Sequence, residues 1–141
     1  MKIKLLLACL VLSISFVIVD YSGAQNWMFV TSTGNGEIGS YVDVDSIEGI
    51  PELKRFMMYH YFKGTKTVDS RPIERLFAKS YVNCTARTIG YLEVEYEWSV
   101  GLDKEKVTIP ASSEVSTSKP VRPNSVDEAI LDFVCNYQKQ G

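Results

Sequence analysis

Residues 123–135 read PNSVDEAILDFVC, a helix that opens on a capping signal and closes on a cysteine. Ser125 and Glu128 stand three apart. At that spacing a serine hydroxyl accepts a free N–H of the first turn while the glutamate reaches back. Pro123 discourages any earlier start. At about 100° per residue, Val126, Ala129, Ile130, Phe133, Val134 and Tyr137 share one arc, which Leu131 and Cys135 extend on a flank. Glu128, Asp132, Asn136 and Lys139 keep only a narrow polar strip. So wide an apolar arc does not suit a helix lying on a flat sheet. It predicts a helix seated in the hollow of a curved sheet, and Cys135 then needs a partner.

The start of the chain says which partner is available. Residues 1–24 read as a signal peptide: the basic MKIK, the apolar run LLLACLVLSISFVIV, and the small residues Ser22-Gly23-Ala24 before Gln25. The run is shorter than the ~20 apolar residues that span a bilayer, so no membrane span is expected in the mature chain. Leu6-Leu7-Ala8-Cys9 has the letters of a lipobox, but the apolar run continues past Cys9. An outer-membrane lipoprotein is therefore not expected; a periplasmic or secreted protein is. Cleavage leaves residues 25–141 as one domain with 13 basic and 16 acidic residues, a net charge of −3. No basic stripe forms, so no nucleic-acid partner is expected. Export removes Cys9 and leaves Cys84 and Cys135, an even pair in an oxidising compartment, where a disulfide is expected. Two thiols and the single His60 make a poor metal set, so no metal or other cofactor is expected.

Six strands are expected before the helix, over residues 26–30, 41–44, 53–62, 73–84, 88–98 and 106–109. The Ser/Thr/Pro-rich stretch 110–123 reads as a mobile exposed loop. In the fourth strand, Leu76, Ala78, Ser80 and Val82 share a face with Cys84 and are mostly small, as close approach of a helix requires. The fifth strand offers Leu92, Val94, Tyr96 and Trp98 on one face against Tyr91, Glu93, Glu95 and Glu97 on the other. Matching apolar faces predicts Val82 opposite Leu92 and Lys79 opposite Glu95, with an odd-numbered turn centred near Arg87. The fold class is then α+β: one curved antiparallel sheet of about six strands, its C-terminal helix on the concave face and tethered by a disulfide.

Several motifs dissolve on inspection. Gly34-Asn35-Gly36-Glu37-Ile38-Gly39 matches the dinucleotide fingerprint in its letters, but SYVDVD after it alternates as a strand where a helix is required. It reads as a hairpin loop. Asp43, Asp45 and Glu48 lack the ligand spacing of a calcium loop and read as a solvated turn. Glu93, Glu95 and Glu97 read as the wet side of a strand, not as a cleft pair with separated acidities. With one histidine and no nucleophile–base pair, no catalytic residue is expected and the protein reads as a non-enzyme.

The informative surface feature is LKRFMMYHYF, residues 53–62, apolar on both faces of its strand. One helix covers one face, so a second apolar face stays wet unless a loop such as 110–123 folds over it. Met57, Tyr59 and Tyr61, with Phe77 and Tyr81 of the next strand, form the candidate contact surface. Its partner would be another protein or a second copy of the chain. A small-ligand or inhibitor protein with a pocket between sheet and helix is the alternative from another class.

These residues also resemble a known family, the surface-adhesin protein E-like domains of Gram-negative bacteria. The resemblance rests on Trp27, Tyr41-Val42-Asp43 with Ser46-Ile47, Asn83-Cys84, Val121-Arg122-Pro123-Asn124-Ser125 with Glu128, and Val134-Cys135. Asn124 stands where the family's helix start usually has glycine. The resemblance implies a six-stranded antiparallel sheet with a disulfide-tethered C-terminal helix. It also implies an exported binding module of the cell envelope, the name-giving member being a surface lipoprotein that adheres to host matrix proteins. This chain lacks that member's well-placed lipobox.

Overall fold

A computed structural model describes residues 25–99, 104–108 and 118–139. The expected signal peptide, and residues 110–117 of the expected loop, lie outside them. Strands β1 (Trp27–Ser32), β2 (Ile38–Ile50), β3 (Leu53–Val68), β4 (Arg71–Asn83), β5 (Thr88–Trp98), β6 (Lys104–Thr108) and β7 (Lys119–Pro120) precede the helix α1 (Val126–Asn136). They form one open antiparallel sheet of seven strands in the order β1-β2-β3-β4-β5-β6, with β7 also paired to β5. The expectation of about six strands is corrected by β7. Two residues that pair with Thr88 and Ile89 leave no periodicity in a sequence.

β3 and β4 run past their expected ends. Lys66-Thr67-Val68 pairs with Arg71-Pro72-Ile73 beyond an irregular stretch after Tyr61, and the turn shrinks to Asp69 and Ser70, with φ of 48° and 65°. Two successive positive φ values match the right-handed twist of a two-residue hairpin, and aspartate tolerates them best after glycine and asparagine. β2 likewise continues through the acidic cluster as an irregular bulge between Asp43 and Glu48. Asp43 Oδ1 accepts the amides of Asn26 and Asp45. The Ser46 hydroxyl donates to the Asp43 carbonyl and accepts the Met57 amide, at 2.6 and 2.7 Å. The cluster thus satisfies the backbone groups that the bulge orphans.

The β4–β5 register corrects the expectation. Val82 lies opposite Ile89 and Lys79 opposite Glu93. The turn is even-numbered, Asn83 pairing with Thr88 and Arg87 at φ 55°. An even turn alone would drive the glutamates into the core. A bulge between Lys79 and Ser80 places the extra residue Leu92 on β5 and restores the alternation beyond it. Tyr91 therefore faces the core, and Leu92 joins Glu93 on the other side, 38% exposed.

The core is shared by one sheet face and the helix. Val42, Met58, Ala78, Val82, Ile130, Leu131 and Val134 are at most 1% exposed and form one cluster with Val44, Phe56, Ile89 and Val94. The buried stripe of the helix is Ile130, Val134 and Leu131, so it extends onto Leu131, which the wheel placed on the flank. Leu76 and Ser80 share this face as expected. Cys84 and Cys135 are joined, their Cα atoms 5.8 Å apart, at the expected pairing.

Both ends of α1 are held. The Glu128 amide donates to Ser125 Oγ at 3.1 Å, and Glu128 Oε1 accepts the Asn124 amide at 3.1 Å. Asn124 sits at φ 59°, a left-handed conformation that favours glycine first and asparagine next. Asn124→Val should cost about 1–2 kcal/mol in denaturant unfolding, while Asn124→Gly should be near neutral. An innocuous valine would argue against the left-handed turn. The last turn of α1 carries no basic residue, but Lys54 of β3 donates to the carbonyls of Val134 and Cys135. That supplies the positive charge a helix C-terminus favours from another element. Arg87 pairs with Asp132 at 2.9 Å and Glu128 at 3.5 Å across the exposed side.

Candidate functional site: the ring-bearing face of the sheet

Alternation along a strand sends neighbours to opposite faces. Phe56 and Met58 pack into the core with the helix, so Met57, Tyr59 and Tyr61 emerge on the far side. The register lines up the far face in rows. Phe29 lies opposite Tyr41, Tyr41 opposite Tyr59, Tyr59 opposite Phe77 and Phe77 opposite Glu95, a line from β1 to β5.

The rings along that line touch. Tyr41 and Tyr59 stack with centroids 4.6 Å apart and planes 10° from parallel. Phe29 meets Tyr41 edge-on at 5.5 Å, and Phe77 is tilted against Tyr59 at 5.3 Å. Trp27 reaches in from β1 to stand edge-on to Tyr59 at 4.8 Å. Such ring pairs contribute about 0.5–1.5 kcal/mol each beyond their burial. The ladder is therefore a rigid platform. Its outer rim is open, with Phe29 56% and Tyr61 37% exposed.

Beside the rings the face turns charged. Arg75 lies 3.7 Å from Glu97, and Lys79 3.8 Å from Glu93. An open groove of about 350 Å³ runs where the two surfaces meet, lined by Trp27, Met57, Tyr59, Phe77, Lys79 and Glu95. A second groove of about 410 Å³ continues from it, sharing Met57 and Lys79 and adding Arg55 and Leu92. Burial and the neighbouring Tyr41 phenol raise the Tyr59 pKa above its ordinary value, against a smaller lowering by Arg75. Tyr59 is thus a neutral donor at physiological pH.

Of the five candidate residues, Met57, Tyr59 and Phe77 come together in the first groove. Tyr61 stands one step along β3, opposite Arg75. Tyr81 lies apart and covers Gly90, where any Cβ would come within 2.4 Å of its ring. Trp27, Phe29 and Tyr41 were not among the contact residues expected from the sequence, although Trp27 and Tyr41 carry part of the family resemblance. The alternation of β1 and β2 carries the signal for them, but both strands run uncharged or mixed and look like ordinary core strands. The Gly34–Gly39 stretch runs through the β1–β2 hairpin loop into the start of β2, the loop closed by the Thr33 amide donating to the Ile38 carbonyl.

The helix side has its own polar pair, but an inaccessible one. Ser40 Oγ lies 2.8 Å from His60 Nδ1, and Ser40 is fully buried. Tyr91 donates to Asp127 at 3.5 Å; burial chiefly, with the Asp127 charge, pushes its phenol well above the usual range. Burial lowers the His60 pKa, against a smaller rise from Asp127. A histidine whose folded value is depressed contributes stability present above its ordinary value near 6.5 and lost as pH falls below it. The urea midpoint should therefore drop between pH 7.5 and 5. The drop should be smaller in His60→Gln; an equal drop would place the acid sensitivity elsewhere.

Residues 27–136 match the sequence family described as surface-adhesin protein E. Among solved structures, the selenomethionine form of Haemophilus influenzae protein E is similar with a TM-score of 0.51 at 14% identity, over 77% of this chain and 87% of that one. A second structure of Haemophilus influenzae protein E gives 0.52 at 12% identity, over 76% and 83%. Protein E from non-typeable Haemophilus influenzae gives 0.50 at 12% identity, over 76% and 74%. At such identities the likeness speaks for the fold. No curated protein matches the chain. Among the described residues no helix is long and apolar enough to cross a membrane.

Proposed function

The chain belongs to the surface-adhesin protein E family, and from that premise we propose that it is an exported, non-enzymatic binding module of the cell envelope. It contacts a protein partner, or a second copy, through the sheet face that carries Met57, Tyr59, Tyr61, Phe77 and Tyr81. The helix packs on the opposite side of the sheet, against Phe56 and Met58. Residues 1–24 direct export and are removed, and the disulfide suits the oxidising compartment that receives the mature chain.

One observation carries the reading: the connected ladder Phe29–Tyr41–Tyr59–Phe77, with Trp27, lies opposite the helix. A small domain has little reason to place five mutually packed rings outside its core. Aromatic and methionine side chains are the residues enriched at protein–protein contacts, where rigid rings bury area at low entropic cost. The ladder also stands beside paired charges, the arrangement of an apolar centre with a polar rim.

The test is binding with and without the rings. The Tyr59→Ser/Tyr61→Ser double variant should keep a native far-UV spectrum and a cooperative unfolding transition, at a lowered Tm from the three ring pairs lost with Tyr59. Its affinity for the native envelope partner, or for itself on sizing, should fall at least tenfold. Unchanged affinity in a folded double variant would remove this face from the function.

A further inference from the structure

We infer that the free edge of β1 is a docking site for an extended, uncharged segment of a partner protein, which adds to the sheet as an extra strand. The inference concerns the rim of the sheet and does not depend on the ring-face reading. The backbone geometry is the evidence. The Val44 amide donates to the Asn26 carbonyl at 3.0 Å, and Trp27 lies opposite Asp43. In an antiparallel ladder that bond makes Trp27–Asp43 a non-hydrogen-bonded pair, so Met28 turns its N–H and C=O toward β2. Trp27 and Phe29 then turn theirs outward. At the other end the Thr33 amide donates to the Ile38 carbonyl, and the same alternation turns Ser32 outward past the bulge at Val30. β1 is the end strand of the sheet order, so these groups face no strand among the described residues.

The chemistry of the edge says what it accepts. Outward N–H and C=O groups at strand spacing are satisfied as a set by another extended backbone. Proteins protect such edges with lysine, other charges or proline. The opposite rim follows that rule: β6 is KEKVT, and β7 is Lys119–Pro120. β1 does not. Residues 26–33, NWMFVTST, contain no charge and no proline. Met28 and Phe29 are 42% and 56% exposed and lie on opposite faces of the strand. An incoming strand would find an apolar side chain on each side, so apolar or β-branched residues suit both of its faces. Charged residues would lose hydration there without a partner.

The experiment selects random ten-residue peptides displayed against the protein. The best peptide is then made with ordinary and with N-methylated alternate amides. Selected peptides should lack charge in their central residues and slow hydrogen exchange at the Trp27, Phe29 and Ser32 amides at least tenfold. N-methylation should weaken binding at least tenfold, as should Ser32→Pro, which removes an outward donor. Phe29→Lys, at an exposed ring, gives a second edge variant if the proline disturbs folding. Tyr59→Ser should change peptide binding less than twofold, which separates this result from the fate of the ring face. The inference is overturned if no peptide is selected, if N-methylation has no effect, or if binding fails with Tyr59→Ser but survives both edge variants. It is also overturned if those amides become protected with rising protein concentration alone, which would assign the edge to a second copy.

Discussion

Changing both Cys84 and Cys135 to serine should lower stability by about 4 kcal/mol, the chain-entropy value for a closed loop of this size. The cysteines are 51 residues apart, so the bridge closes a loop that spans β5, β6, β7 and the helix up to its last residue but one. For a domain of this length the loss corresponds to roughly 15 °C in Tm, a large share of ordinary stability. The fold should nonetheless survive at low temperature, because Ile130, Leu131 and Val134 remain buried without the bridge. Thermal and urea unfolding of the double variant, with reduced wild type as control, measure both statements. A loss below about 1 kcal/mol would mean that the unfolded chain is already constrained.

Leu131→Ala should cost about 3 kcal/mol, within the range for truncating a fully buried leucine. Leu131 is 0% exposed in the cluster that joins helix and sheet. Truncation opens a cavity facing a sheet held in place by its own ladder, so the site collapses only partly. Val126→Ala, at the half-buried edge of the same helix, should cost clearly less. Equal costs in urea unfolding would mean that the helix is rotated about its axis, with the stripe centred where the wheel first put it. Both variants retain Cys84–Cys135, so the comparison isolates packing from the covalent tether.

Much of this was legible in residues close together in the chain. Ser125 and Glu128 announce the helix start, and its hydrogen bonds form as the spacing requires. The even cysteine count that remains after the expected signal peptide pointed to the bridge that forms. The facing of β4 followed from its small residues, and the far side of β3 from simple alternation. Less legible was everything that depended on register. Lys79 meets Glu93 and not Glu95, because a bulge and an even-numbered turn each shift parity and together cancel. Neither device has a strong local signature. The acidic cluster at Asp43 likewise looked like a solvated turn and is a bulge that ties β1, β2 and β3 together.

The candidate site shows the same division. Met57, Tyr59 and Phe77 were identifiable as rings and thioether on the face a single helix cannot cover. That Trp27 reaches from β1 to Tyr59, and that Phe29 and Tyr41 complete the line, depended on how four strands align. By itself the sequence determined the helix and six of the strands in outline, the helix cap, the cysteine pair and the family. These rest on local spacing and chemistry, which any neighbourhood must respect. Only the tertiary structure decided which residues meet: the ring ladder, the two-residue shift that sets Lys79 against Glu93, Leu131 within the fully buried stripe, and the exposed edge of β1 among the described residues. Those are set by the summed packing of distant strands, where a one-residue bulge moves side chains to the other face and local propensity has no vote.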